Sequence, residues 1–418
     1  MYFIATGDVM AELPEERHNS FKVISSFSDI DHLDISPNST YEFIEKDKIF
    51  VFEGQGSRTS NAWIWDFSQP DEGLNKNMYS LPNDGGYPRY KILSRGEGKP
   101  AFLLLANRYK KDYMTHGDYS TIVYSLGKSG RILEGAKLPG IRRLPLGLMI
   151  EGGTHYTTLT TASTLSETCL EYWSPDDQDA VWAQCISGKY RYPDKSSDSN
   201  TKDMSRFGGS IGNIPQGPNR SIIWLSLVED GRSQFHILVK LISENGETIK
   251  QWRSPESLEW SKNVILDSGV FVQALSNNIN KLSFLISTIT SGREKDNPYY
   301  IVETNEFLKG FKPVVREVKQ PFNIPCEISA AQANSGEIIV GCATPSKNTG
   351  HELWSLKTDA LQFDKISLDV SWAKDNQVRN SHFHANNAGE LFWFRSSYNP
   401  SDKTNKGKIE LLELQSER

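Results

Sequence analysis

The sequence has no uninterrupted apolar run approaching the ~20 residues that a membrane helix needs. Its start, Met1 to Met10, lacks the basic end, apolar stretch and small-residue exit of a signal peptide. No membrane span is therefore expected. Long helical periodicity is nearly absent, which sets aside helix bundles. There is no basic excess either: 46 Lys plus Arg stand against 52 Asp plus Glu, a formal charge of −6. Nucleic acid is thus a poor partner. Catalytic signatures are missing as well. No nucleotide-cradling glycine loop, Gly-x-Ser-x-Gly elbow, zincin motif or Cys-x-x-Cys occurs. Gly208-Gly209-Ser210-Ile211-Gly212 is not followed by the helix that phosphate binding requires.

What the sequence does contain is strand. Short alternating or apolar runs bounded by Gly, Asn, Asp and Ser recur from end to end, so the chain reads as all-β. The most apolar of these runs are KIFVFE at 48–53, AFLLLA at 101–106, HYTTLTT at 155–161, SIIWLSLV at 221–228, KLSFLIST at 281–288, EIIVGC at 337–342 and ELFWFR at 390–395. They start every 53 to 66 residues. Each has a strand-like run before it, such as TYEFIE at 40–45, and another after it, such as NAWIWDF at 61–67. A weaker fourth run is readable in most units, for example AVWAQCI at 180–186 and ETIKQW at 247–252. The last unit lacks a fourth, and YFIAT at 2–6 or FKVISSF at 21–27 is available to complete it.

This rhythm resembles that of the β-propeller superfamily across nearly the whole chain. No Trp-Asp ending, double-glycine kelch pattern or Asp-box recurs. The expectation is a single domain over 1–418: a seven-bladed propeller of four-stranded antiparallel blades, its ring closed by an N-terminal strand. A β-sandwich pair leaves the period unexplained, and a six- or eight-bladed ring needs one unit miscounted.

The four cysteines fall as two pairs, Cys169 with Cys185 and Cys326 with Cys342, each sixteen residues apart. Each pair brackets one hairpin, centred at Asp177 or Asn334, so antiparallel pairing would set the partners on facing positions. Two disulfides are favoured over four buried thiols. They point to a secreted or periplasmic protein, its export signal absent from this chain.

In a propeller, the links from second to third strand and from blade to blade share one face. Here those links are the longer and more polar ones, for instance NRYKKDYMTHGD at 107–118 and SSYNPSDKTNKG at 396–407. That face is the expected binding face. It also receives the beginnings of the innermost strands, at or near which Tyr87, Arg89, Arg142, Arg143, Arg206, Lys262, Arg379 and His382 fall. Cations converging on a concave mouth focus the field on an anion, and Arg grips carboxylate or sulfate through paired hydrogen bonds.

His382 and His384 flank Phe383 and share one side of a strand. Two histidines alone make an incomplete metal site, and a packed or solvent-facing structural pair is a better reading of them than a metal or acid–base site. His116 lies in a loop of the same face near Arg108 and Tyr119, and Arg395 ends the last apolar run. Asp29, Asp31 and Asp34, and the cluster Asp194, Asp198, Asn200 and Asp203, offer oxygen ligands to a divalent cation such as calcium, without the spacing of a calcium loop. No other cofactor is implied.

Two functional readings remain. One is a monomer that takes an anionic glycan at the funnel. The other is a non-catalytic scaffold for a protein ligand. An enzymatic version of the first is similar in chemistry to the propeller polysaccharide lyases. That similarity implies Arg206 or Arg379 as the group neutralising a uronate carboxylate, with His116, His382 or Tyr87 moving the proton. Arg89, Arg108, Tyr119, Arg143, Lys262, His384 and Arg395 would then line the ligand.

Overall fold

The structure is a computed structural model. It describes twenty-eight strands, together with residues 47, 67–68, 180–181, 221, 234, 243–247, 254–258, 275, 282, 298, 304, 310, 312–313, 319–321, 333, 335–337, 361–362, 390, 399 and 401. The first strand, β1, is Ser20–Ile30. The first sheet comprises β2 (Ser39–Glu45), β3 (Lys48–Glu53), β4 (Thr59–Asp66) and β5 (Asn77–Pro82). The second is β6 (Arg89–Leu93), β7 (Phe102–Arg108), β8 (Tyr119–Leu126) and β9 (Ile132–Leu138). The third is β10 (Leu146–Met149), β11 (Tyr156–Thr161), β12 (Glu167–Trp173) and β13 (Trp182–Ser187). The fourth is β14 (Ser210–Asn213), β15 (Ile222–Glu229), β16 (Phe235–Ile242) and β17 (Thr248–Arg253). The fifth is β18 (Val270–Ala274), β19 (Ser283–Thr288), β20 (Tyr299–Glu303) and β21 (Val314–Val318). The sixth is β22 (Glu327–Gln332), β23 (Ile338–Ala343), β24 (Glu352–Leu356) and β25 (Phe363–Ile366). The last three strands are β26 (Gln377–Ala385), β27 (Leu391–Tyr398) and β28 (Gly407–Gln415).

Each of the first six sheets pairs its strands in chain order and antiparallel. The seventh runs β26, β27, β28 and then β1, so the run at 21–27 supplies its fourth strand, with Phe21 opposite Leu414 and Phe27 opposite Ile409. All seven apolar runs are second strands of sheets, as the rhythm implied.

The packing shows why those runs are so apolar. Ile49, Phe50 and Val51 of β3 are all fully buried, so both faces of the strand are covered, and Ile222 to Leu225 of β15 behave alike. A strand covered on both faces reads as a continuous apolar run. The fourth strands are edge strands of their sheets, and β17 is exposed or half-buried throughout. Among the described residues, apolar clusters span neighbouring sheets. Leu170 and Tyr172 meet Ile222 and Trp224 across the third and fourth sheets, Ile237 and Val239 share a cluster with Phe284 and Ile286 across the fourth and fifth, and Leu285 and Ile301 join Ile338 and Val340 across the fifth and sixth. Ile339 and Leu353 pack on Phe383 and Trp393 of the seventh, whose other face sets Phe392 and Phe394 against Ile49 and Trp65 of the first. First strands approach one another in the same succession, β2 to β6, β10, β14 and β18, and β22 to β26 to β2.

Two hairpins share one turn. Ala333 donates to the Glu337 carbonyl (2.8 Å) and Gly336 to Ala333 (2.9 Å), and the same pair of bonds links Ser243, Gly246 and Glu247. Gly336 (φ 88°) and Gly246 (φ 82°) take the left-handed conformation these three-residue loops require. The turn corrects one expectation. Gln332 pairs with Ile338, so the hairpin centres on residue 335, not 334, and Cys342 faces Ile328 rather than Cys326. Cys326 lies outside the described residues. The other hairpin is as read: Cys169 faces Cys185, and a disulfide joins them with Cα atoms 4.0 Å apart.

Gly341 of β23 lets the sixth and seventh sheets approach. A Cβ there would collide with the ring of Phe383 and stand 3.2 Å from Leu353 Cδ2. The ring cannot easily retreat, because it stacks on Trp393 (5.8 Å, 19°) and meets Phe21 at 6.3 Å. Gly341→Ala should therefore cost about 1–3 kcal/mol, the usual penalty of overpacking, measured as a lower urea midpoint. Adding Phe383→Leu should recover part of that loss. Strict additivity of the two changes would show that the ring is not what Gly341 accommodates.

Candidate functional site

At one end of the second sheet the register gathers three of the residues singled out from sequence. Arg108, the last residue of β7, pairs directly with Tyr119, the first of β8, while Arg89 opens β6 opposite Ala106, two positions from Arg108. The loop between Arg108 and Tyr119 carries His116, which lies outside the described residues, as do Tyr87, Arg142, Arg143, Arg206 and Lys262.

The corresponding end of the seventh sheet holds Arg379 in a β-bulge: Val378 pairs with Ser397 and Asn380 with Ser396, leaving Arg379 without a register partner. An unpaired residue of this kind bends the strand locally and re-aims its side chain. Ser396 and Ser397, fully buried opposite the bulge, have hydroxyls with no hydrogen-bond partner among the described residues. His382 and His384 lie further along β26, opposite Phe394 and Phe392, on either side of the buried Phe383. Since β26 approaches β2 and β2 approaches β6, the strands bearing Arg379 and Arg89 are separated by one first strand.

Arg395 belongs to β27. It is 7% exposed, and its Nε donates to Glu410 Oε2 at 2.7 Å while its guanidinium lies 4.8 Å over the Trp393 ring. Lys408 reaches the other oxygen of Glu410 at 2.6 Å. Arg395 is thus engaged in an ion pair and over an aromatic ring, on the face of the seventh sheet that carries Trp393. The sequence concealed this because the partner sits fifteen residues later, on the neighbouring strand, and only the register brings the two together. Burial of Glu410 acts to raise its pKa. The Arg395 charge and hydrogen bonds from Arg395 and Lys408 outweigh it and hold the carboxyl below its ordinary value.

Asp31, Asp34 and the cluster from Asp194 to Asp203 fall outside the described residues, and Asp29 is described by backbone alone. Among the described residues no cluster of three or more metal-ligating side chains occurs, and no helix is long and apolar enough to cross a membrane.

No family model matches the chain, and no curated protein matches it. Solved structures do resemble it. The β-propeller domain of the trilobed protease from Pyrococcus furiosus is 8% identical, with 91% of this chain and 96% of that one covered, at a TM-score of 0.48. A fungal alcohol oxidase in complex with copper is 10% identical, over 95% and 76% of the two chains, at 0.48. An α-L-arabinofuranosidase from Fusarium graminearum is 12% identical, over 79% and 92%, at 0.45. Likeness at this level says nothing about activity.

The ion pair yields a signed expectation. Because the folded-state pKa of Glu410 is depressed, its contribution is complete above the unfolded-state value near 4.5 and is lost as pH falls through the folded-state value. Glu410→Gln, which leaves Arg395 uncompensated, should cost about 3–5 kcal/mol at neutral pH. The gap between variant and wild type in urea unfolding should narrow below about pH 4.5. A gap that stays constant with pH would show that the carboxylate charge contributes nothing.

Proposed function

We propose that the seven sheets are the blades of one seven-bladed β-propeller over residues 1–418, closed by β1, and that its loop-rich end binds an anionic carbohydrate. The ring is supported by the packing of the third through seventh sheets in succession and of the seventh on the first, and by a seventh sheet drawn from both parts of the chain. The binding reading is carried by one observation: Arg108 set against Tyr119, with Arg89 opening the adjacent strand at the same end. Guanidinium groups match the paired oxygens of carboxylate and sulfate, and a phenol offers an apolar face with a polar tip to a sugar. On a chain of net charge −6, a local cationic mouth also favours anions over neutral glycans.

Arg379, on the bulge of β26, would extend this mouth, joined by Tyr87, His116, Arg143, Arg206, Lys262, His382 and His384. On a uronate, an Arg that neutralises the carboxylate would let His116, His382 or Tyr87 take the proton beside it. A proton delivered to the glycosidic oxygen lets that oxygen leave, giving an unsaturated sugar. The disulfide fits a secreted or periplasmic setting, where thiols are oxidised.

Titration with polygalacturonate, a sulfated polysaccharide and a neutral glucan tests the reading. The anionic polymers should bind and the neutral one should not. Arg108→Ala and Arg379→Ala should each weaken binding by roughly 10-fold or more, as loss of a charged hydrogen bond implies. Added salt should weaken the wild-type complex. Ultraviolet absorbance of an unsaturated product would add the lyase step. Equal binding of neutral and anionic polymers, or binding to none of them, rejects the anionic mouth. A protein ligand, captured by pull-down, then replaces it.

A further inference from the structure

Three described cations lie over tryptophan rings, and their surroundings differ in one respect. Arg395, 4.8 Å over Trp393, is neutralised by Glu410. Lys365, 5.6 Å over Trp354, is exposed to water. Lys240, 5.5 Å over Trp224, has neither remedy. It is half-buried on β16, directly opposite Trp224 of β15, and no carboxylate of the described residues pairs with it. Burial alone acts on its amine and pushes its pKa down from the ordinary lysine value. Trp224 is 1% exposed, and its indole N–H finds no acceptor among the described residues.

The two donors share the seam between the third and fourth sheets, where Trp224 packs with Leu170, Tyr172 and Ile242. A cation–π contact offsets only about 0.5–2 kcal/mol of the cost of drying an ammonium. A water molecule could satisfy the indole but would bring no charge. An oxyanion satisfies both groups, one oxygen accepting from Nε1–H and the charge meeting the ammonium. Gln251, the register partner of Lys240 on the outermost strand, is exposed, so the amine is approached from the outer margin of the sheet.

We infer that Lys240 and Trp224 form a second ligand site, independent of the proposed mouth, that binds a small oxyanion: a carboxylate or a phosphate group. The site uses the indole N–H as a directional donor and the lysine as the counter-charge. It differs from the Arg395 cluster in leaving the acceptor to be supplied from outside.

Side-chain nitrogen NMR of the whole protein tests it, with sodium acetate and inorganic phosphate titrated separately at constant ionic strength. The Trp224 indole resonance, assigned by its loss in Trp224→Phe, should move saturably while the other indoles stay still. A response to acetate alone identifies a carboxylate site, to phosphate alone a phosphate site, and to both a general oxyanion site. Lys240→Met should weaken the response roughly 10-fold or more, as loss of one charged hydrogen bond implies. Lys240→Arg, which keeps the charge, should largely retain it. An indole signal that responds to neither salt overturns the site. So does one that responds equally in Lys240→Met, or whose shift never saturates. Because the proposed mouth has no part in these measurements, either reading can fail without the other.

Discussion

The fourth, fifth, sixth and seventh sheets each have two apolar faces and only four strands, so none of them can stand alone in water. The constraint is most severe at the second strands, where Ile49, Phe50 and Val51, or Ile222 through Leu225, have no solvent-facing side. A sheet of this kind is stable only between two others, and the chain meets the demand by placing each sheet against the next. The demand is hardest to meet at the ends of such a series. Here the seventh sheet covers the sixth with Phe383 and Trp393 and the first with Phe392 and Phe394, while β1 covers its outer edge. Removing the seventh sheet would expose apolar surface on both the sixth and the first, which ties their stability to it.

The same constraint explains which parts of the fold could be read directly from residues. Strands buried on both faces announce themselves as apolar runs, and all seven second strands lie where the runs are. Outer strands do not. β17, readable only as a weaker run, holds TIKQWR with no buried residue, and β25 offers only FDKI, whose composition barely distinguishes it from loop. Register was legible where sequence symmetry and turn geometry agreed, as at Cys169 and Cys185, and failed where a turn intervened. The three-residue loop closed by Gly336 moves the hairpin centre by one residue and the pairing of Cys342 by two. A spacing of sixteen residues is the same in both hairpins, and only the register separates them.

The candidate site was legible in kind but not residue by residue. Arg89, Arg108 and Tyr119 could be brought together because strand ends are set by the long polar loops on either side of them. Arg395 could not be separated from them by that logic. It also sits near the end of a second strand, but at a position whose parity turns it inward with Trp393, toward the sixth sheet. Alternation decides between ligand and core here, and a shift of one residue would have reversed the answer. The bulge at Arg379 shifts the register on the neighbouring strand by one residue between Val378 and Asn380. No residue type in the run QVRNSHFHA signals it.

The seams also show how cations survive in this architecture. A guanidinium or ammonium that enters an apolar seam loses hydration, and the aromatic face beneath it returns only part of that loss. Arg395 recovers the remainder from Glu410, at the cost of burying a carboxylate that in turn needs Lys408. Lys365 avoids the loss by remaining in water. Lys240, half-buried, has no carboxylate partner among the described residues, and the indole N–H of Trp224 beside it has no acceptor among them either. An apolar side chain at position 240 would fill the seam beside Ile242 and Trp224 without that cost, so packing alone gives no reason for a lysine there. A charge that destabilises the empty seam is understandable when something of opposite sign enters it, because the energy withheld from folding then becomes available for binding.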